Sequence, residues 1–137
     1  MNYMGVLHAG LGGFVAYCVG GGLLFGPAHF VRAEFVRYPT QGDGIERVIP
    51  VGLFFVLLGF VALAYIYALA YRGGSDWIAG ARFGAAVGIF VVAAFTLHMY
   101  ANFGMEPSLA LKYSVEYFAE WVFAGIAMGL TYHPLPE

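Results

Sequence analysis

Charge is the scarcest commodity in this chain: 10% of its 137 residues are Asp, Glu, Lys or Arg, against about 25% in a soluble domain. So little polar surface cannot cover a water-exposed globule, which argues against a soluble fold and makes the lipid bilayer the expected solvent. Basic residues are rarer than acidic ones, six Lys and Arg against eight Asp and Glu. Without a positive field to neutralise phosphates, nucleic acid is not an expected partner. A single cysteine, Cys18, excludes an intrachain disulfide and leaves the redox compartment unread. No Lys or Arg precedes the first apolar run in "MNYMGVLHAG", which argues against a cleaved signal peptide. The alternating pattern of a membrane barrel is missing, as are a GxGxxG turn, a P-loop, a nucleophile elbow and any Ser-His-Asp arrangement outside the apolar runs. With loops too short for a soluble catalytic domain, no enzymatic activity is expected.

What is abundant is apolar surface: 61% of residues are hydrophobic and 18% aromatic. Four segments, about Met4–Val31, Val48–Tyr71, Trp77–Ala101 and Leu109–Tyr132, each reach the roughly 20 residues that a helix needs to cross the hydrocarbon layer. Hydrocarbon offers no partner to unpaired backbone groups, so helices are the expected form. The expectation is an all-α polytopic membrane protein, a single domain over residues 1–137 with four transmembrane helices in an up-down bundle. Pro50 falls in the first turn of the second segment and Pro107 at the start of the fourth, where a missing N–H costs little. Ser75 or Asp76 is placed to cap the third. Arg32, Arg37, Arg47 and Lys112 fall on one side, Arg72 and Arg82 on the other. The positive-inside rule then turns the first and third loops to the cytoplasm.

Glycines are distributed with helical spacing. Gly80, Gly84 and Gly88 form a stripe in the third segment, Gly125 and Gly129 in the fourth, and Gly12, Ala16 and Gly20 in the first. Small residues let helix backbones approach where apolar burial supplies little drive. Close packing within the bundle is the plain reading; a stripe facing another protein is the sharper one. The triplet Gly20–Gly22 exceeds what one interface requires; it is read as packing, with a bend or a cofactor lying against backbone as the alternatives.

Two carboxylates interrupt the fourth segment. Glu116 and Glu120 in "KYSVEYFAEW" stand one turn apart on one face, with Lys112 a turn earlier. A charge near mid-membrane costs at least about 2.5–3.5 kcal/mol, so these groups are expected to turn inward, pair or share a proton. The topology brings His29, His98 and Glu116 to similar depth, with Arg32, Tyr100, Asn102 and Met105 nearby. Three chemistries compete there. The first is structural pairing of histidine, glutamate and arginine. The second is a proton or ion relay through Glu120, Glu116 and His98. The third is ligation of haem or a metal by His29 and His98, without any HxxxH, ExxH or CxxC spacing to support it. Tyr113, Tyr117 and Trp121 make a stripe on the fourth segment, expected as a packing surface or an interfacial belt.

"GARFGAAVGIF" and "MYANFGMEPSLALKYSVEYFAEWVFAGIAMGLTY", through Arg82, Phe83, Gly84, Gly88, Pro107, Ser108, Leu109 and Glu120, resemble the C-terminal half of small, uncharacterised four-helix prokaryotic membrane proteins. The resemblance covers about 60 residues and implies a fold and a location in the prokaryotic cytoplasmic membrane, with no activity attached. Glu116, Lys112 and Tyr117 depart from it, standing where those proteins are more uniformly apolar. The expected function is that of a non-catalytic accessory or structural subunit, packed against other membrane subunits or itself, with bound lipid and no required cofactor. A proton-coupled module centred on Glu120 is the alternative, and a haem- or metal-bearing redox subunit the third reading.

Overall fold

The computed structural model describes residues 2–25, 45–73 and 76–134. These residues are helical apart from short connections: α1 Tyr3–Phe25, α2 Ile45–Ala70, α3 Asp76–Val91, a π-helical turn Val92–Thr96, α4 Leu97–Phe103 and α5 Pro107–Thr131. The segment α3–π–α4 is one rod, Asp76–Phe103, so the described chain forms four rods. Three helices are long and apolar enough to cross a membrane, over Tyr3–Gly21, Pro50–Ala70 and Asp76–Phe103. The fourth rod, α5, is diluted by Lys112, Glu116 and Glu120 and is not one of them.

Local signals set most of the helix ends. Gly73 at φ 80° turns the chain between α2 and α3, and Gly104 at φ 66° ends α4, a left-handed conformation that costs glycine little. Pro107 opens α5 at its first turn, as expected. The start of α2 differs from expectation. It begins at Ile45, so Pro50 sits inside the helix and leaves one backbone carbonyl of the preceding turn without its N–H partner. The third rod also differs, because an uninterrupted α-helix was expected where the π turn lies. The part of the first segment beyond Phe25, the packing at Gly22, and Ser75 lie outside the described residues or side chains.

Contacts fix an up-down arrangement. Asn2 Nδ2 donates to the His133 carbonyl at 2.7 Å, tying the start of α1 to the end of α5. Tyr71, after α2, donates to Asp76 Oδ1 at 2.8 Å and packs on Tyr132. One end of the bundle therefore gathers the start of α1, the end of α2, the start of α3 and the end of α5. Helix α5 is the centre, packed by α1 on one side and by α3 on the other, while α2 leans on α1.

Glycine makes the α3–α5 seam. A Cβ on Gly80 would strike the Gly125 carbonyl, one on Gly84 the Trp121 carbonyl, and one on Gly129 the Asp76 carbonyl. These obstacles are backbone and cannot rotate away. Gly88 meets the Phe118 ring. On α1, a Cβ on Gly12 would lie 2.7 Å from Thr131 Oγ1. Gly20 has nothing within 4 Å among the described residues. Gly10 and Gly13, which the spacing did not single out, do: Gly10 faces the Val61 backbone and Gly13 the Met128 side chain.

The core lies where α1, α2 and α5 meet, around Val6, Ala9, Phe60, Ala64, Tyr67, Ala124, Met128 and Tyr132. Its aromatic centre is Phe60, stacked on Trp121 with centroids 5.3 Å apart and also touching Tyr17 and Phe14. Tyr67, Tyr71, Tyr132 and Phe83 form a second ring cluster at the closed end. Of the two readings of the Tyr113–Tyr117–Trp121 stripe, the packing surface fits Tyr113, which is buried, and Trp121, which stacks on Phe60; Tyr67 and Tyr132 also turn into the bundle. Outside, Leu7, Leu11, Val15, Phe54, Phe55 and Leu69 are exposed, a surface suited to acyl chains and hazardous in water.

Candidate functional site

The sequence placed two carboxylates on one face of α5, and the fold turns that face toward α1. Glu120 is 2% exposed. It reaches Gly21, where an added Cβ would lie 2.6 Å from Glu120 Oε1. Glycine at this position clears the space that the carboxyl occupies, which gives the Gly20–Gly22 triplet a physical role at its middle residue. Glu120 begins about 20 Å along α5 from Pro107 at 1.5 Å per residue, near the middle of the helix.

Polar partners are scarce around it. Glu120 Oε2 and Glu116 Oε2 are both buried without a hydrogen-bond partner among the described residues. Tyr17 and Tyr117 lie within electrostatic reach of Glu120, and Tyr117 also of Glu116. Lys112, half-buried, continues the same face toward the start of α5. Indole and phenol rings close the surroundings, since Tyr17 packs on Trp121 at 5.4 Å and Tyr113 on Tyr117 at 5.9 Å. A carboxyl in such a place can hold a proton or a cation and release it when its surroundings change.

The expected polar cluster is only partly assembled. Glu116 and Glu120 come together with Tyr17 and Tyr117. His98 does not join them. It is exposed on α4, where Asn102 Nδ2 donates to its carbonyl at 2.9 Å and lies 3.1 Å from its Nδ1. Its ring packs on Phe103. His29, Arg32 and Arg37 lie outside the described residues, as does the side chain of Arg47. Among the described residues no group of three or more His, Cys, Asp or Glu is arranged to hold a metal ion. His8 and His133 are exposed together at the mouth of a groove between α1 and α5.

Sequence reasoning missed one feature. A cavity of about 310 Å³ lies between the third rod and α5, walled by Val91, Phe95, Thr96, Met99, Met105, Tyr113 and Tyr117. It sits at the π turn, and Tyr117 forms a wall shared with the carboxyl pair. Spacing gave no warning of it, because a π turn inserts a residue without altering composition. Thr96, the one polar residue in "FVVAAFTLHMY" before the histidine, was the available signal.

No family model, curated protein or solved structure matches this chain.

Proposed function

We propose that the protein is an integral membrane protein in which all four rods cross the bilayer, and that it handles protons through the carboxyl of Glu120. One observation carries this reading: a carboxyl 2% exposed at mid-helix, with an oxygen lacking any hydrogen-bond partner among the described residues. A group kept for structure alone would be expected to have its oxygens bonded, because an unmade bond costs about 1–3 kcal/mol and more for a charge. The insufficient hydropathy of α5 does not oppose a fourth crossing. Glu120 faces Gly21 of α1 and takes the place inside the bundle that an intramembrane acid requires. The relay runs from Glu120 through Glu116, one turn away, toward the Lys112 end of the helix; His98, exposed and bonded to Asn102, is left out of it.

Proton flux into liposomes carrying purified protein tests the reading. Flux present in the wild type and absent in Glu120→Gln is expected, with the variant's stability unchanged within about 1 kcal/mol. Loss of about 3–5 kcal/mol in Glu120→Gln would instead mark a structural ion pair. Wild-type liposomes no leakier than empty ones would end the proposal.

A second reading, an accessory subunit associated with other membrane proteins or with itself, draws on α2. Between Pro50 and Gly59 every residue but Leu57 is exposed, and Gly52 and Gly59 have nothing within 4 Å among the described residues. Mass analysis after mild detergent extraction tests it, and a lone chain in the micelle would count against it. The groove between α1 and α5, lined by Leu11, Val15, Val19 and Leu130, suits a bound acyl chain.

A further inference from the structure

We infer that the cavity beside the π turn binds a planar, lipid-soluble carbonyl compound of the quinone class, with the Thr96 hydroxyl as the hydrogen-bond donor to its carbonyl. The inference stands apart from the role of Glu120, although Tyr117 borders both sites.

It begins with three helical hydroxyls. Ser114 and Thr131 each return a 2.7 Å hydrogen bond to the carbonyl four residues back, the usual way such a side chain is satisfied inside a membrane helix. Thr96 is 5% exposed, more deeply buried than either, and makes no hydrogen bond among the described residues. The backbone register differs at Thr96, which ends the π turn. The carbonyl four residues before Thr96 belongs to Val92, and in this turn it accepts the N–H of Leu97. The hydroxyl is left facing the cavity it lines. Where water is excluded, an unbonded hydroxyl is costly and a ligand that bonds it gains that energy back.

The rest of the wall selects the shape of the ligand. At about 310 Å³ the space is at the small end of ligand pockets, which start near 300 Å³, and admits a head group of one or two rings. Tyr113 and Tyr117 line it with rings inclined by 31°, and Phe95, Met99 and Met105 complete it. Aromatic faces and thioether sulfurs both favour a flat π system. The unbonded Thr96 hydroxyl calls for an acceptor, which a ring carbonyl supplies. π turns inside helices are frequent at functional sites.

Menadione titrated into the full chain in lipid nanodiscs, followed by quenching of its intrinsic tryptophan and tyrosine fluorescence, tests this. Saturable binding is expected for the wild type. Thr96→Val, which keeps the shape and removes the donor, should weaken it about three- to tenfold, the worth of one hydrogen bond. Thr96→Ser should retain most of the affinity, and Met99→Trp, which fills the space, should abolish saturation. Linear quenching like that of a membrane-partitioned quinone would overturn the proposal. So would unchanged affinity in Thr96→Val or in Met99→Trp, and the serine variant keeps the comparison meaningful should the valine variant misfold.

Discussion

Two adjacent glycines in α1 differ only in what faces them. Gly21 looks onto Glu120 Oε1, while Gly20 has nothing within 4 Å among the described residues. Gly21→Ala therefore must push the carboxyl aside, and because the obstacle is the far end of a flexible side chain, the expected cost is small in stability, about 1 kcal/mol or less, and large in any flux that Glu120 carries. Gly20→Ala should be neutral or slightly stabilising, since alanine restricts the unfolded chain. Flux and thermal melts of the two variants side by side check this, and equal loss in both would sever Gly21 from the acid. A residue at the closed end adds a pH test. Tyr71 donates to Asp76, and that bond, with partial burial behind it, holds the phenol above its ordinary pKa. A raised pKa in the folded state means the contribution is complete below the usual tyrosine value of about 10 and is lost as pH rises through the higher one. Subtracting the ultraviolet tyrosinate titration of Tyr71→Phe from that of the wild type should isolate a late-ionising tyrosine, and Asp76→Asn should make it ionise earlier. The sequence made Glu116 and Glu120 legible because a charge in an apolar run stands out. It could not make their surroundings legible: which residue of a glycine triplet meets an acid depends on the register of α1 against α5, and that register is tertiary.

Among the elements, α5 holds the bundle together and the α3–α5 seam is its tightest joint. Gly80, Gly84, Gly125 and Gly129 meet backbone to backbone, so each is limited by atoms that cannot rotate away. Gly84→Val should destabilise the fold by at least about 1–3 kcal/mol, the usual cost of overpacking, whereas Gly59→Val on the open face of α2 should cost only its helix propensity, under about 1 kcal/mol. Detergent-stability midpoints or resistance to proteolysis would rank the two, and a reversed ranking would contradict the seam. This seam was readable in advance, because spacing of four residues is the helix period and small residues are what close approach demands. Gly10 and Gly13 were not, since their role is set by Val61 and Met128 arriving from other helices. The π turn was unreadable for a related reason. Val92–Thr96 has the composition of ordinary membrane helix, and only its backbone register moves Thr96 off its own carbonyl and onto the cavity.

At the scale of the whole molecule, composition points to a bilayer as the solvent, and the exposed apolar side chains of α1, α2 and the third rod agree with it. The count of crossings is a separate matter, because hydropathy reads each helix as if it stood alone. α5 falls short on that measure, yet it is the helix packed by both α1 and α3. A central helix can spend apolar character on function where a peripheral one cannot. This has a consequence for topology. If α5 crosses, His133 lies on the same face as Arg72, as the packing of Tyr71 on Tyr132 requires within the bundle, and Glu106 lies on the opposite one. The excess of Arg and Lys in the first and third loops over Arg72 and Arg82 then directs Glu106 to the cytoplasm. In a chain with Cys18 replaced by serine, cysteines introduced singly for Arg72, Glu106 and His133, all exposed, can be labelled in intact cells with a membrane-impermeant maleimide. Labelling at Arg72→Cys and His133→Cys, with Glu106→Cys reacting only after lysis, is the expected pattern. Glu106→Cys alone labelled would keep the four crossings and invert the orientation. Arg72→Cys and His133→Cys on opposite faces would mean that α5 fails to cross, and the acid site would then have to be placed outside the hydrocarbon, removing the reason for Glu120 to be a proton carrier.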